Sequence, residues 1–364
     1  MAITALYHTC FARIQQLRPG ERVTRVRNMA WLMAGLFLSG SVHLSYIARK
    51  IPGTSQKLSK VKMLSRLLDN CHIRVRSWYE PVAQELLKTV VGHGQVVRLV
   101  VDGTKIGNGH QLLMVALAYR RRTLPIAWTW VKCKRGHSSA QKQCALLAYV
   151  HGLVPAGARV QLVGDSEFGA VEVLRQLDQW GWHYALRQKG NHLLCLVGQS
   201  SWQRCDSLVS RPGQSRWLDQ VLLTQKYAYP TCFLALWQPG EAEPWLLATN
   251  LPSARETRKL YRIRMWIEEM FADFKGHGFD LEASRLGHFL RLSRLTLAVV
   301  LLYLWIVTLG SQAIKNGMRR LVDRSDRRDL SIFRIGFDFL ERLLANQQPI
   351  SIRPLPYMYK LSGS

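Results

Sequence analysis

Acidic residues are scarce in this chain. Its 364 residues include 24 Asp and Glu against 50 Lys and Arg, a formal charge of +26. Such an excess attracts polyanions, of which nucleic acid is the commonest, and it is spread along the chain rather than held in one tail. Charge alone leaves open a ribosomal-type or merely basic soluble protein. Cysteine is present but unpatterned: Cys10, Cys71, Cys133, Cys144, Cys195, Cys205 and Cys232 form no CxxC pair, and their number is odd. That argues against a disulfide framework or a zinc site and suits a reducing compartment. The N-terminal MAITALYHTC lacks a basic segment followed by an apolar run, so no secretory signal is expected. No internal repeat is visible. Long hydrophobic runs are also few. AWLMAGLFLSGSV (30–42) is too short to span a bilayer, and LTLAVVLLYLWIVTLG (295–310) is borderline. The expectation for the latter is a helix buried on all sides in a core, with no membrane partner. Its flanking Arg291 and Arg294 fit either reading.

The length allows two or three domains, and 48% apolar residues support a sizeable core. Residues 1–94 read as helical. Within SVHLSYIARKIPGTSQKLSKVKMLSRLLDN (41–70), PGTSQ separates a short apolar helix from a basic one. This resembles a helix-turn-helix, with Lys57, Lys60, Lys62 and Arg66 as candidate phosphate contacts. From 95 to 190 the period changes to that of strands. VVRLVVDG, HQLLMVALAYR, TLPIAWTWVK, RVQLVGD and HYALRQKG read as strands, with helices over 140–152 and 171–181. The order β-β-β-α-β-α-β predicts a mixed sheet with helices on its faces. Residues 191–252 read as a β-rich insertion, 253–312 as a return to helices, and 313–364 as a basic helical tail ending in an extended segment.

Two acids close buried apolar strands: Asp102 after VVRLVV and Asp165 after VQLVG. An acid there is often only a turn former, but open α/β sheets also build their sites at strand ends. A third acid, Glu268, lies in YRIRMWIEEMFADFK (261–275). On a regular helix Tyr261, Arg264, Glu268 and Lys275 fall within an arc of roughly 60°, along the border of the apolar stripe. An ordinary salt-bridged helix edge, with Arg264 and Glu268 spaced i,i+4, gives the same pattern. If the three acids converge, their repulsion calls for a cation, and hard oxygen ligands select Mg²⁺ or Mn²⁺. Glu167 and Glu269 are the nearest substitutes for members of this set.

These residues resemble bacterial insertion-sequence transposases of the Asp-Asp-Glu class, which share the retroviral-integrase, RNase H-like fold. One large group carries Y-(2)-R-(3)-E-(6)-K around its catalytic Glu, and Tyr261, Arg264, Glu268 and Lys275 match all four positions. Asp102 in VVDGT and Asp165 in VGDSEFG match the two Asp positions. Met265 stands where the group often has Trp, and Ser166 where it often has Arg. The resemblance implies an α/β fold with an RNase H-like mixed sheet flanked by helices, a β-rich insertion and an all-α N-terminal DNA-binding region. It implies catalysis by Asp102, Asp165 and Glu268 holding two Mg²⁺ ions, with Mn²⁺ as a substitute, and DNA contacts from Tyr261, Arg264 and Lys275. It further implies cut-and-paste transposition by a homodimer on double-stranded DNA: nicking at terminal inverted repeats, then attack by the freed 3′-hydroxyl and joining to target DNA. No covalent enzyme intermediate is implied. A cytoplasmic, nucleoid-associated bacterial protein is expected. A helix-turn-helix repressor without catalysis, or a metal-dependent nuclease without joining activity, remain the alternatives.

Overall fold

Helices open the chain and strands follow. The computed structural model describes residues 2–107, 109–132, 138–324 and 326–358. Cys133 and the end of the expected C-terminal tail (359–364) lie outside the described residues. The first elements are α1 (Ala2–Leu17), α2 (Val23–Ser39), α3 (Leu44–Lys50), α4 (Lys57–Asp69) and α5 (Val75–Gly92). Next come β1 (Val97–Ile106), β2 (His110–Tyr119), β3 (Arg122–Lys132), α6 (Ala140–His151), β4 (Val160–Gly164), α7 (Val171–Gln179) and β5 (His183–Arg187). The order is the β-β-β-α-β-α-β expected from the periodicity. Then follow β6 (Leu193–Leu196), β7 (Gln203–Arg204), β8 (Ser215–Leu223), β9 (Tyr229–Leu236) and β10 (Trp245–Thr249). Four helices complete the chain: α8 (Ala254–Tyr261), α9 (Trp266–Phe274), α10 (Phe289–Lys315) and α11 (Ile332–Ala345).

The chain divides into two compact units that do not follow its linear order. One comprises residues 90–105 and 111–269. Its ten strands form one sheet in the order β3-β2-β1-β4-β5-β10-β9-β8-β6-β7. Strand β4 runs parallel to both β1 and β5, with Val101 opposite Gly164 at the end of the β1–β4 pairing. This mixed sheet with helices is an RNase H-like core. The β-rich stretch does not stand apart from it: β10 pairs antiparallel with β5, so β6–β10 extend the same sheet. Buried β-branched and leucine side chains explain the central strands; Val97, Leu99, Val100 and Val101 of β1 and Val160, Leu162 and Val163 of β4 are all buried. Gly164 is needed where β1 and β4 meet, because a Cβ there would lie 2.8 Å from Val101 Cγ1.

The other unit comprises residues 1–89, 106–110 and 270–364. The C-terminal helices therefore pack with the N-terminal ones rather than forming a separate tail. Helix α10 holds the longer apolar run. It is long and apolar enough to cross a membrane, but 94% of its most apolar window is buried within the fold. Its polar groups are satisfied internally: the Thr296 and Thr308 hydroxyls donate to the carbonyls of Leu292 and Leu304. Arg294 is 6% exposed and donates to Leu68 O (2.8 Å) and Ile73 O (3.1 Å), capping the end of α4. Arg291 pairs with Asp69 (3.2 Å) and donates to Ser65 Oγ. The flanking arginines that sequence could not interpret are thus helix-to-helix ties. Helix α11 crosses α10 at two glycines, Gly310 and Gly336, with Phe333 stacked on Tyr303 nearby.

Candidate active site

The register of β1 and β4 places the first two acids. Asp102 and Asp165 each lie one residue beyond the last parallel pair, Val101 and Gly164. Asp102 is not at a strand end, as the sequence suggests. Strand β1 continues to Ile106, and Asp102 marks where its pairing with β4 stops. Each carboxylate is anchored by the backbone amide that follows it. The Gly103 N–H donates to Asp102 Oδ1 (2.7 Å), and the Ser166 N–H donates to Asp165 Oδ1 (2.6 Å). The second oxygens are left to face one nitrogen, Arg264 Nη2, at 3.6 Å from Asp102 Oδ2 and 3.2 Å from Asp165 Oδ2. Glu268 joins from the other end of the guanidinium, with Oε1 2.6 Å from Arg264 Nη1. Asp102, Asp165 and Glu268 therefore do converge, on Arg264.

The electrostatics are unbalanced. Three carboxylates surround one guanidinium. Burial pushes Asp102 up to about 7, although Arg264 and the Gly103 amide pull it down. Burial works against the charge of Arg264, but Asp102, Asp165 and Glu268 together hold it above the ordinary guanidinium value. Its Nε is buried and unpartnered. The donor set, three carboxylates with two Oδ2 atoms turned to a common point, fits a hard divalent cation. As they stand, no three acidic, His or Cys side chains among the described residues are spaced to hold a metal ion. The guanidinium occupies the point where a cation would sit.

The segment around Glu268 is not one regular helix. Helix α8 ends at Tyr261, a 3₁₀ turn spans Arg262–Met265, and α9 begins at Trp266. A 3₁₀ residue advances about 120° instead of 100°, so Tyr261 and Arg264, three apart, remain on one side of the segment. Tyr261 stays near the acidic centre: the charges of Arg264, Asp165 and Asp102 all act on its hydroxyl, while burial pushes it up. It is 3% exposed and packs edge-on against Trp245, with ring centroids 5.0 Å apart. In this structure its ring is a core group, not a surface one. Arg264 and Glu268 keep their i,i+4 contact. Lys275 follows α9, belongs to the other compact unit, and pairs with Glu282 at 3.0 Å.

The two substitute acids are engaged elsewhere. Glu167 accepts hydrogen bonds from Gln111 Nε2, the Ser138 amide and the Ser138 hydroxyl. Gln143 Nε2 donates to the Glu167 carbonyl (2.9 Å). Glu269 pairs with Arg122 at 2.9 Å. Sequence reasoning missed Gln111, Ser138 and Gln143, which brace the turn after Asp165. The one available signal was a glutamine inside an apolar strand. Gly103 accommodates this brace, since a Cβ there would lie 2.2 Å from Gln111 Nε2.

In the N-terminal helices, α3 and α4 flank a break at 51–56, as the helix-turn-helix reading requires. The four basic residues of α4 do not act alike. Lys60 Nζ donates to Ile51 O (2.7 Å) and Gly53 O (3.0 Å), so it closes its own turn. Leu64, Leu67 and Leu68 form the buried face, and Lys62 and Arg66 are exposed on the side opposite. Lys57 is exposed in the first turn. Replacing Lys62 and Arg66 with Ala is expected to flatten the log–log salt dependence of DNA binding by about 1.8, whereas Lys60→Ala leaves it unchanged. Fluorescence anisotropy across a salt series measures both, and an equal slope in all three proteins would remove α4 from the DNA interface.

The fold and this site define an RNase H-like protein with an acidic centre built from two adjacent strands and a following helix. Residues 95–305 match the family model described as the transposase DDE domain, and the chain belongs to that family. Its class is that of enzymes that cut and transfer DNA. No curated protein matches the chain. Among solved structures, a cryo-EM structure of a piggyBac transposase synaptic complex with hairpin DNA aligns at a TM-score of 0.46 and 11% identity, covering 98% of this chain and 83% of that one.

Proposed function

We propose that this protein carries out cut-and-paste DNA transposition, cleaving phosphodiester bonds at the ends of its element and joining the freed 3′-hydroxyl to target DNA. The observation that carries the reading is the convergence of Asp102 Oδ2, Asp165 Oδ2 and Glu268 Oε1 on a single cationic point. Asp102, Asp165 and Glu268 would hold two Mg²⁺ ions, or Mn²⁺ in their place. When bound, these ions supply Lewis-acid stabilisation of the oxygens that gain charge at phosphorus. The amides of Gly103 and Ser166 orient the two aspartates, and the Glu167 brace holds the turn that carries Asp165. Arg264 is a counter-charge to the three carboxylates, and with divalent cations held there its guanidinium would be available to a DNA phosphate. Double-stranded DNA with terminal inverted repeats is the substrate. A homodimer on that DNA, in the bacterial cytoplasm at the nucleoid, is the working form.

The test is to incubate the protein with DNA carrying the inverted repeats that flank its gene, with Mg²⁺. Strand cuts at the repeat ends together with joined products are expected. Binding without cutting would favour the repressor, and cutting without joined products the nuclease. A second expectation concerns Arg264. Arg264→Met removes one positive charge from the three carboxylates, so Mn²⁺ affinity is expected to rise by about tenfold or more, equivalent to about 1.4 kcal/mol. Free Mn²⁺ measured by electron paramagnetic resonance gives the affinity without any chemistry. An unchanged or lower affinity would show that Arg264 does not hold the cation position.

A further inference from the structure

One face of α8 serves none of the roles described so far. Arg255, Arg258, Lys259 and Arg262 are spaced i, i+3, i+4 and i+7, so they share an arc of about 100°. The opposite side of the helix carries Thr257, Leu260 and Tyr261, all buried. All four cations are exposed. None of them has an acidic partner among the described residues, although Glu256 lies on the same helix. Arg258 Nη2 donates 3.3 Å to the neutral Gln238 Oε1. Elsewhere in the same unit, Arg122, Arg187, Arg204 and Arg264 are all paired with carboxylates. What sets the stripe on α8 apart is its arrangement: four exposed cations in register on one side of one short segment, along a groove.

The stripe forms one wall of a groove of about 780 Å³. The facing wall comes from β8, β9 and the turn after β9, through Ser215, Leu234, Leu236, Trp237 and Pro239. Among the described residues no acidic side chain lines it. Four charges run along about 10 Å of helix rather than converging on a point. A lone phosphate or carboxylate would be held by donors that meet; a line of cations matches a polymer of phosphates, which in duplex DNA places a charge every ~1.7 Å along the axis. The stripe also has a direction. Arg262, its last member, is two residues before Arg264, the residue in contact with Asp102, Asp165 and Glu268.

We infer that this groove binds the backbone of duplex DNA and leads it to the acidic centre. The inference rests on the transposase reading for its ligand, and on the unpaired stripe for its place. The contact is to phosphate and is independent of sequence.

The experiment is binding of a random-sequence 40-bp DNA duplex in EDTA over a salt series. Without divalent cations no chemistry occurs, so the outcome does not depend on the function of the three acids. Replacing Arg255, Arg258 and Lys259 together with Ala is expected to make the log–log salt slope shallower by about 2–3, near 0.9 per lost phosphate contact. Lys259→Ala alone is expected to account for about 0.9, which guards against misfolding of the triple variant. The charge-keeping Arg255→Lys/Arg258→Lys protein should retain the wild-type slope. The inference is overturned if the alanine variants keep the wild-type slope. It is equally overturned if the lysine variant loses as much as the alanine one, or if the loss appears with an RNA duplex and not with DNA. A failure here leaves the assignment of the acidic centre standing, and an Asp165→Ala protein that still cleaves DNA leaves this groove standing.

Discussion

Asp165→Ala is expected to lower cleavage of element-end DNA by at least about 1,000-fold, roughly 4 kcal/mol of barrier, while DNA binding in EDTA stays near wild type. The physical reason lies in the division of labour within the carboxylate. Asp165 Oδ1 is taken by the Ser166 amide, and Oδ2 is turned toward the point shared with Asp102 and Glu268. Alanine removes the only oxygen available there and leaves the fold of the turn to Glu167 and its partners. Asp102→Asn should behave in the same way for chemistry. Its effect on stability should be small or favourable, because burial already disfavours the Asp102 charge and pushes the carboxyl up to about 7. Glu268→Gln completes the set. Glu269→Gln is the control, since this acid pairs with Arg122 instead. Cleavage by Asp165→Ala at the wild-type rate in a single-turnover assay would sink the assignment.

The largest loss of stability is expected from Gly336→Ala. Helices α10 and α11 touch backbone to backbone. A Cβ on Gly336 would meet the Ile306 carbonyl oxygen at only 1.9 Å, and a Cβ on Gly310 would meet the Ile332 carbonyl oxygen at 2.1 Å. Neither obstacle is a side chain that can rotate away, so the helices must part. Parting them disturbs the aromatic packing of Phe333 with Tyr303, Phe279 and Phe337. Alanine gains about 1 kcal/mol of helix propensity over glycine. Overpacking in a rigid core costs about 1–3 kcal/mol, toward the upper end where backbone must move, so a net loss of about 1–2 kcal/mol is expected. Urea unfolding of the purified protein measures it. A loss below about 0.5 kcal/mol would mean that the crossing is loose.

Sequence by itself determined the local elements and singled out the three acids of the candidate site. Alternation and apolar runs located β1–β5, α6 and α7 within a few residues, because a strand buried on both faces must be apolar throughout. The same strands carried Asp102 and Asp165 at matched places, and parallel register brings matched places side by side. Glu268 was legible through its offset from Arg264, which survives a change of helix type because four residues still make about one turn. Only tertiary structure decided the rest. Tyr261 is buried against Trp245, a contact between α8 and β10 that no local period reports. The place of Arg264 among three acids depends on strands more than 95 residues away in the chain. So does the joining of β6–β10 to the central sheet, since edge pairing is made by backbone amides and carbonyls common to every sequence. The apolar run of α10 reads alike for a membrane span and for a core helix. Its contacts come from tertiary structure: Arg294 finds the carbonyls of Leu68 and Ile73, and Gly310 finds the backbone of α11, only when residues 1–89 and 270–364 fold as one body.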